Sequence, residues 1–313
     1  MGGVLSSLKV REGTIMTGHI HDLPPAETAQ NREGLILESA EIVTAAERSE
    51  TKLAVDEDRA VRNDEYGIYG GIDGMGASGM PGAGRVAAEL LQDVIPQYLI
   101  DHDAEFADFD PTNPETVAGI MKRAFRYGEE KVVDRVYEDP NLFRMGAVLA
   151  IGKVFAHKNQ AYVLIGVAGD VVARVTDDQG NVKWQSKEEN MPPPNEHMVK
   201  NAISQGSPLY ICEPALVITN RYDDGDVEYG YESENSGQFV VLPLSKGDRF
   251  AIYSDGIAGK KSETKLQPSV LQQAMSQPSA QGCAQFLYAA SLGRKNEDDD
   301  RVVVAVTYSG IAA

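Results

Sequence analysis

Short apolar runs at Leu35-Ile36-Leu37 and Ile42-Val43 predict extended chain from Leu35 onward. Two further strands are read over Thr51 to Asp58 and Tyr66 to Asp73, joined by the polar run Arg62-Asn63-Asp64-Glu65. A glycine-rich loop from Gly74 to Gly84 follows. Val86, Ala87, Leu90, Leu91, Val94, Ile95 and Tyr98 then recur at helical spacing and predict an amphipathic helix. A second helix opens near Pro114, a residue accepted in a first turn, and runs past Val133. The middle of the chain is β-rich. Gly146 to Ala156 and Ala161 to Ala168 predict one hairpin, Val171 to Thr176 and Val182 to Gln185 another, each flanking a polar turn. Ser186 to Pro214 is polar and contains Pro192-Pro193-Pro194, which predicts a partly irregular flap. Strands return at Ala215 to Thr219, Gln238 to Leu242 and Arg249 to Ser254. Helical spacing reappears at Val270 to Met275 and Ala280 to Leu292, and Val302 to Tyr308 is a last strand.

Strands and helices do not alternate through the middle, so a doubly wound parallel sheet is not expected. Sheets packed face to face and covered by helices are. Met1 to about Arg32 shows no sustained periodicity, so residues 1–34 read as an N-terminal extension and 35–313 as one domain with its flap at 186–214.

With 42% hydrophobic residues in 313, the chain can build a substantial core, while a formal net charge of −18 argues against nucleic acid and anionic lipid as partners. Cys212 and Cys283 are too few for a disulfide framework or a thiolate zinc site, which fits a reducing compartment, and a cytoplasmic location is expected. Met1-Gly2-Gly3-Val4-Leu5-Ser6 satisfies the loose myristoylation pattern, but an ordinary terminus is the favoured reading. No stretch has the length of a membrane-spanning helix.

Chemistry concentrates in acidic turns at strand ends: Asp73-Gly74-Met75-Gly76, Ser254-Asp255-Gly256 and Asp298-Asp299-Asp300. Carboxylates delivered to a sheet edge, with glycines turning the backbone away, suit hard divalent cations that take oxygen ligands and keep several waters. The bland alternative is an Asp that caps a turn. Gly74-Met75-Gly76-Ala77-Ser78-Gly79 also matches the dinucleotide fingerprint G-x-G-x-x-G, yet helical spacing starts near Gly84 rather than inside the motif, and Asp73 would set a negative charge beside a diphosphate. His19, His21, His102, His157 and His197 match no metal or triad spacing.

Six motifs in order, Asp56-Glu57-Asp58-Arg59, Ile72-Asp73-Gly74-Met75-Gly76, Met145-Gly146-Ala147, Gly169-Asp170, Tyr253-Ser254-Asp255-Gly256-Ile257 and Asp299-Asp300-Arg301-Val302-Val303-Val304, resemble the metal-dependent Ser/Thr protein phosphatases of type 2C (the PPM family), in their bacterial form. The resemblance spans roughly Glu50 to Tyr308. It implies an α+β fold, a four-layer α-β-β-α sandwich, and a manganese- or magnesium-dependent hydrolase acting on phosphoserine and phosphothreonine in proteins. It also implies roles by position. Asp73 would bridge two ions, with Gly74 offering its carbonyl. Glu57, Asp255 and Asp299 would supply further carboxylates, with Asp58 direct or through water. Sliding the last motif by one residue selects Asp298 instead of Asp299. Asp170 would belong to a weak third site.

Three departures accompany the resemblance. Leu53 stands where the family has a phosphate-gripping arginine, leaving Lys52 or Arg48 as substitutes. A lysine there is a point charge rather than a bidentate fork. Gly259 stands where a further third-site Asp is usual, and Ala147-Val148 replace a small hydroxyl pair. These departures keep a second reading open, that of a catalytically weakened relative serving as a binding module.

Overall fold

The computed structural model describes residues 26–44, 56–76, 82–111, 113–143, 145–187, 203–204, 216–221, 227–231, 239–259, 265–292 and 299–312. Its strands are β1 (Glu27–Gln30), β2 (Leu35–Thr44), β3 (Arg59–Asn63), β4 (Ile68–Gly76), β5 (Met145–His157), β6 (Gln160–Ala168), β7 (Val172–Thr176), β8 (Val182–Gln185), β9 (Ile203–Ser204), β10 (Leu216–Arg221), β11 (Val227–Tyr231), β12 (Phe239–Leu244), β13 (Arg249–Tyr253) and β14 (Arg301–Ile311). Its helices are α1 (Ala83–Asp101), α2 (Glu115–Glu138), α3 (Asp255–Ala258), α4 (Pro268–Met275) and α5 (Ala280–Leu292).

Two antiparallel sheets carry the fold. One runs β1-β2-β14-β13-β7-β8 and the other β12-β6-β5-β4-β3, with β9 also paired to β5; β10 and β11 pair separately. Side-chain alternation along the strands divides the apolar residues into three interfaces. Ile68 and Ile72 of β4 and Leu149 and Ile151 of β5 meet Leu91, Ile95 and Phe125 of α1 and α2. Tyr69 of β4 and Val148 of β5 instead meet Phe250, Ile252, Val302 and Val304 across the gap between the sheets. Val303 and Ala305 point the other way, onto Leu287 and Cys283 of α5. The chain is therefore a four-layer α-β-β-α sandwich. Burial on both faces also explains the unbroken run Val302-Val303-Val304-Ala305-Val306, where a half-exposed strand would alternate.

Pairing register brings six strand ends to one rim. The start of β3 lies against the middle of β4 (Arg59 opposite Ile72), one residue before Asp73, the start of β7 against the end of β13 (Val172 opposite Tyr253), and Tyr253 against Val303 at the start of β14. The end of β6 reaches Leu149, near the point where β5 meets Asp73.

Several elements differ from the sequence reading. Of the strand expected over Thr51 to Asp58, Thr51 to Val55 lie outside the described residues and Asp56 to Asp58 are not in a strand; β3 begins at Arg59, and Arg62 and Asn63, expected in the connecting turn, belong to it. β3 is a five-residue edge strand whose Arg59 and Arg62 are held by Glu89 and Asp64, so its charges mask the pattern. Glu27–Gln30, within the aperiodic N-terminal stretch, forms edge strand β1 against β2 with mostly exposed side chains, and so carries no hydrophobic signal. Ile203–Ser204, inside the expected flap, pairs with Gly146 and Ala147 of β5, and β11 was not anticipated. Among the described residues no helix is long and apolar enough to cross a membrane.

At the end of the sandwich opposite the rim, Lys153 of β5 is fully buried, its Nζ 2.5 Å from the Tyr66 carbonyl oxygen, 2.8 Å from Asp103 Oδ1 and 4.0 Å from Glu33 Oε1. It ties the β1–β2 turn and the segment after α1 to the sheet. Breaking a buried pair leaves the partner charge uncompensated. Lys153→Ala should therefore lower unfolding free energy by about 3–5 kcal/mol, read from denaturant midpoints. A loss below about 1 kcal/mol would show that Asp103 and Glu33 re-solvate freely.

Candidate metal centre

The β4 parity that sends Tyr69 between the sheets sends Asp73 there too, at the rim, while Gly74 faces α1. Gly74 and Gly84 of α1 meet back to back. A Cβ on Gly74 would lie 2.6 Å from the Gly84 carbonyl carbon and 2.7 Å from the Glu57 carbonyl oxygen, so a side chain at either glycine would push the helix off the strand end. The Gly74 N–H donates to the Glu57 carbonyl at 3.2 Å, which draws the segment before β3 against the end of β4. Ala77 to Pro81 lie outside the described residues, and α1 opens at Ala83, beyond Gly79, rather than inside the glycine motif as a dinucleotide site requires.

Five carboxylates gather at this rim from five places in the chain. Asp58, almost fully buried, precedes β3; Asp73 lies in β4; Asp170 is in the turn between β6 and β7; Asp255 opens α3 after β13; Asp299 precedes β14. Asp73 is held well above the ordinary aspartate range, first by burial and then by Asp58, Asp255, Asp299 and Asp170, all of which repel its charge. Asp58 is raised well above that range too, by burial first, with Asp299, Asp300 and Asp56 adding repulsion and a hydrogen bond from Ser254 opposing it. No cation stands among the leading influences on either group. Glu57 sits beside them, partly buried, its backbone N–H donating to Asp300 Oδ2 at 2.8 Å.

Among the described residues no group of three or more His, Cys, Asp or Glu side chains is drawn up so that it could hold a metal ion. The carboxylates repel one another across the rim without closing on one point. Their chemistry nonetheless fits a hard divalent cation: the donors are all oxygens, and the buried Asp58 Oδ2 has no hydrogen-bond partner. Such an atom is costly to leave unmatched.

Of the remaining candidates, Asp298, Lys52, Arg48 and Leu53 lie outside the described residues. Gly259 ends α3 at φ 97° and ψ 129°, backbone that a side-chain-bearing residue adopts only under strain, so an aspartate at this position would strain the turn. Met75 packs on the inter-sheet core. His102 stacks on Tyr98 and His157 packs against Phe109, both outside the carboxylate group. Cys283 is buried with its thiol pushed up to about 12, which makes it inert.

Sequence reasoning passed over Ser254, Asp300 and Asp56 as contributors in their own right. Each adjoins a motif aspartate, and that adjacency was the available signal. Arg59 does not serve as a phosphate grip here: its NH1 donates to the Asp58 and Asp56 carbonyls at 2.6 and 3.2 Å and its NH2 to Glu89 at 2.7 Å. A cavity of about 350 Å³ beside it is lined by Glu41, Val43, Asp56, Arg59, Ala60, Arg85 and Gln92, none of them an expected ligand.

By sequence the chain matches no protein-family model and no curated protein. By structure it is similar to the Mycobacterium tuberculosis serine/threonine phosphatase PstP/Ppp (TM-score 0.58, 18% identity, covering 87% of this chain and 99% of that one). It is similar to PppA, described as a key regulatory component of the T6SS in Pseudomonas aeruginosa (TM-score 0.59, 18% identity, 87% and 97%). It also resembles the catalytic domain of PstP in complex with two manganese ions (TM-score 0.55, 20% identity, 88% and 99%). The fold is that of the bacterial PPM-type phosphatases.

The raised carboxyl at Asp73 has a direct consequence. A group whose native pKa exceeds its unfolded one contributes stability that is complete below the unfolded value and is lost as pH rises through the native value. In chelator, Asp73→Asn should thus melt higher than wild type at pH 7.5, with the gap narrowing as pH falls toward 4. A variant that melts lower at neutral pH would mean that the repulsion is relieved some other way.

Proposed function

We propose that the chain is a metal-dependent phosphatase acting on phosphoserine and phosphothreonine in proteins, with manganese or magnesium as its ion. The observation that carries this is the meeting of five carboxylates, from both sheets, around the end of β4. Asp73, Asp58, Glu57, Asp255 and Asp299 would hold two ions with the Gly74 carbonyl, and Asp170 a weaker third. When bound, such ions supply a water of lowered pKa and neutralise charge that builds on a phosphoryl oxygen. The likeness in fold to PstP, whose catalytic domain was solved with two manganese ions, supports the reading.

The chain's own residues set the order of events. A rim of carboxylates repels a phosphate dianion, so phosphate binding follows charge neutralisation. Lys52 and Arg48 are the proposed phosphate-orienting groups, since Arg59 is committed to backbone carbonyls. Met75 offers no proton, and the leaving alkoxide takes one from water. The weakened binding module remains a second reading, favoured by the strained Gly259 turn and by carboxylates that do not close on one point.

Hydrolysis of a generic aryl phosphate should vanish on chelation and return with manganese, and Asp73→Asn should stay at background. Activity that survives exhaustive chelation overturns the mechanism. If Lys52 or Arg48 orients the phosphate, its change to Ala should raise KM about tenfold with kcat little altered, the loss of one charged hydrogen bond. Unchanged KM in both variants would favour the binding module.

A further inference from the structure

Glu57 and Asp58 lead into β3 of one sheet, whereas Asp255 opens α3 just after β13 and Asp299 leads into β14 of the other. Any ion shared by the two sets requires the sheets to keep a fixed separation at the rim. Away from the rim, polar contacts between the sheets sit at their outer edges, Arg62 to Glu27, Ser39 to Asp64 and Lys183 to the Pro243 carbonyl, while the gap itself is filled by apolar contact, which is non-directional. It fixes a spacing but not the direction in which a carboxylate points.

Two directional contacts cross the gap at this place. Ser254 is fully buried, and both its backbone and its side chain are locked to β14: its N–H donates to the Val302 carbonyl, and its Oγ accepts the Val302 N–H, each at 3.1 Å. A hydroxyl has a single proton. With an Oγ lone pair occupied by Val302, that proton is directed to the Asp58 carboxylate, with which Ser254 is hydrogen-bonded. The second contact runs from Asp300, itself buried, whose Oδ2 accepts the backbone N–H of Glu57 at 2.8 Å. Both anchors sit on the β13–β14 pair, and both hold consecutive residues of the segment entering β3.

We propose that Ser254 and Asp300 form an inter-sheet clamp that positions Asp58 and Glu57 for metal binding. The inference rests on the metal-dependent reading given above. The clamp residues touch neither ion nor substrate and act through the carboxylates they hold. The division of labour is specific. Ser254 aims one Asp58 oxygen and leaves the buried Oδ2 open, while Asp300 fixes the Glu57 backbone. Removing groups that orient metal ligands weakens affinity about 10- to 100-fold in general.

The test is manganese titration by calorimetry on the full chain, paired with melting in chelator. Wild type should bind manganese. Ser254→Ala and Asp300→Ala should each bind about tenfold or more weakly, and Asp300→Asn, whose amide oxygen still accepts the Glu57 N–H, should recover most of that loss. Should Ser254→Ala fail to fold, Ser254→Cys keeps the volume with a much weaker donor and should show the same weakening. Variants that melt lower yet bind manganese within twofold of wild type overturn the clamp and leave the phosphatase reading standing. An Asp300→Asn as weak as Asp300→Ala removes the backbone-tether role of Asp300. A wild type that binds no manganese at millimolar concentration overturns the phosphatase reading, and the clamp with it.

Discussion

Mutual repulsion among Asp58, Asp73, Asp170, Asp255 and Asp299 is the constraint that the fold has to hold in check. At an effective dielectric of about 20, two unit charges about 5 Å apart repel by roughly 3 kcal/mol. Several such pairs rival the whole net stability of a domain, about 5–15 kcal/mol. Burial and this repulsion together raise the Asp73 and Asp58 carboxyls, and apolar packing along three interfaces keeps the sheets together despite the charge. A cation is then the natural complement of the rim, because it converts repulsion into attraction.

The layers and the rim are one construction. Antiparallel pairing turns the chain back at each strand, so strands far apart in sequence end at the same edge. β4, β6 and β13 arrive there, and β3, β7 and β14 depart. Each delivers an acidic residue within three positions of its last or first paired residue. The opposite edge holds a different solution to buried charge. Lys153 there has Asp103 and Glu33 as counter-ions and a carbonyl as acceptor, and Arg32 supplies a second cation against Asp103. One end of the sandwich is electrically closed and the other open.

Gly74 and Gly259 show how backbone geometry limits that open end. The contact between Gly74 and Gly84 lets α1 cap the end of β4, which a side chain would prevent. At Gly259 the φ of 97° removes the position from the set that can carry a carboxylate without strain. Asp170 faces the same rim, where its charge adds to the repulsion on Asp73.

Much of this was legible in the linear chain. Glycine beside aspartate at the end of an apolar run marks a strand delivering charge to an edge, and that local rule picked out Asp73 and Asp255, with the acidic run Asp298-Asp299-Asp300 beside them, whereas Asp170 and the choice of Asp299 came from the family resemblance. Helical spacing located α1, α2 and α5, because each buries one stripe against a sheet. The short edge strands β1 and β3 were missed or shifted, since their side chains are largely exposed or salt-bridged and their order comes from backbone pairing that leaves no hydrophobic period. Ser254 and Asp300 had no legible role either. A hydroxyl or carboxylate reveals its function through the direction of its hydrogen bonds, and the partners of these two lie across the sheet gap, roughly two hundred residues away along the chain. The sequence by itself determined which residues are acidic, apolar or free to turn. The tertiary structure alone decided which of them share a sheet gap, because proximity there is set by strand order and register rather than by spacing along the chain.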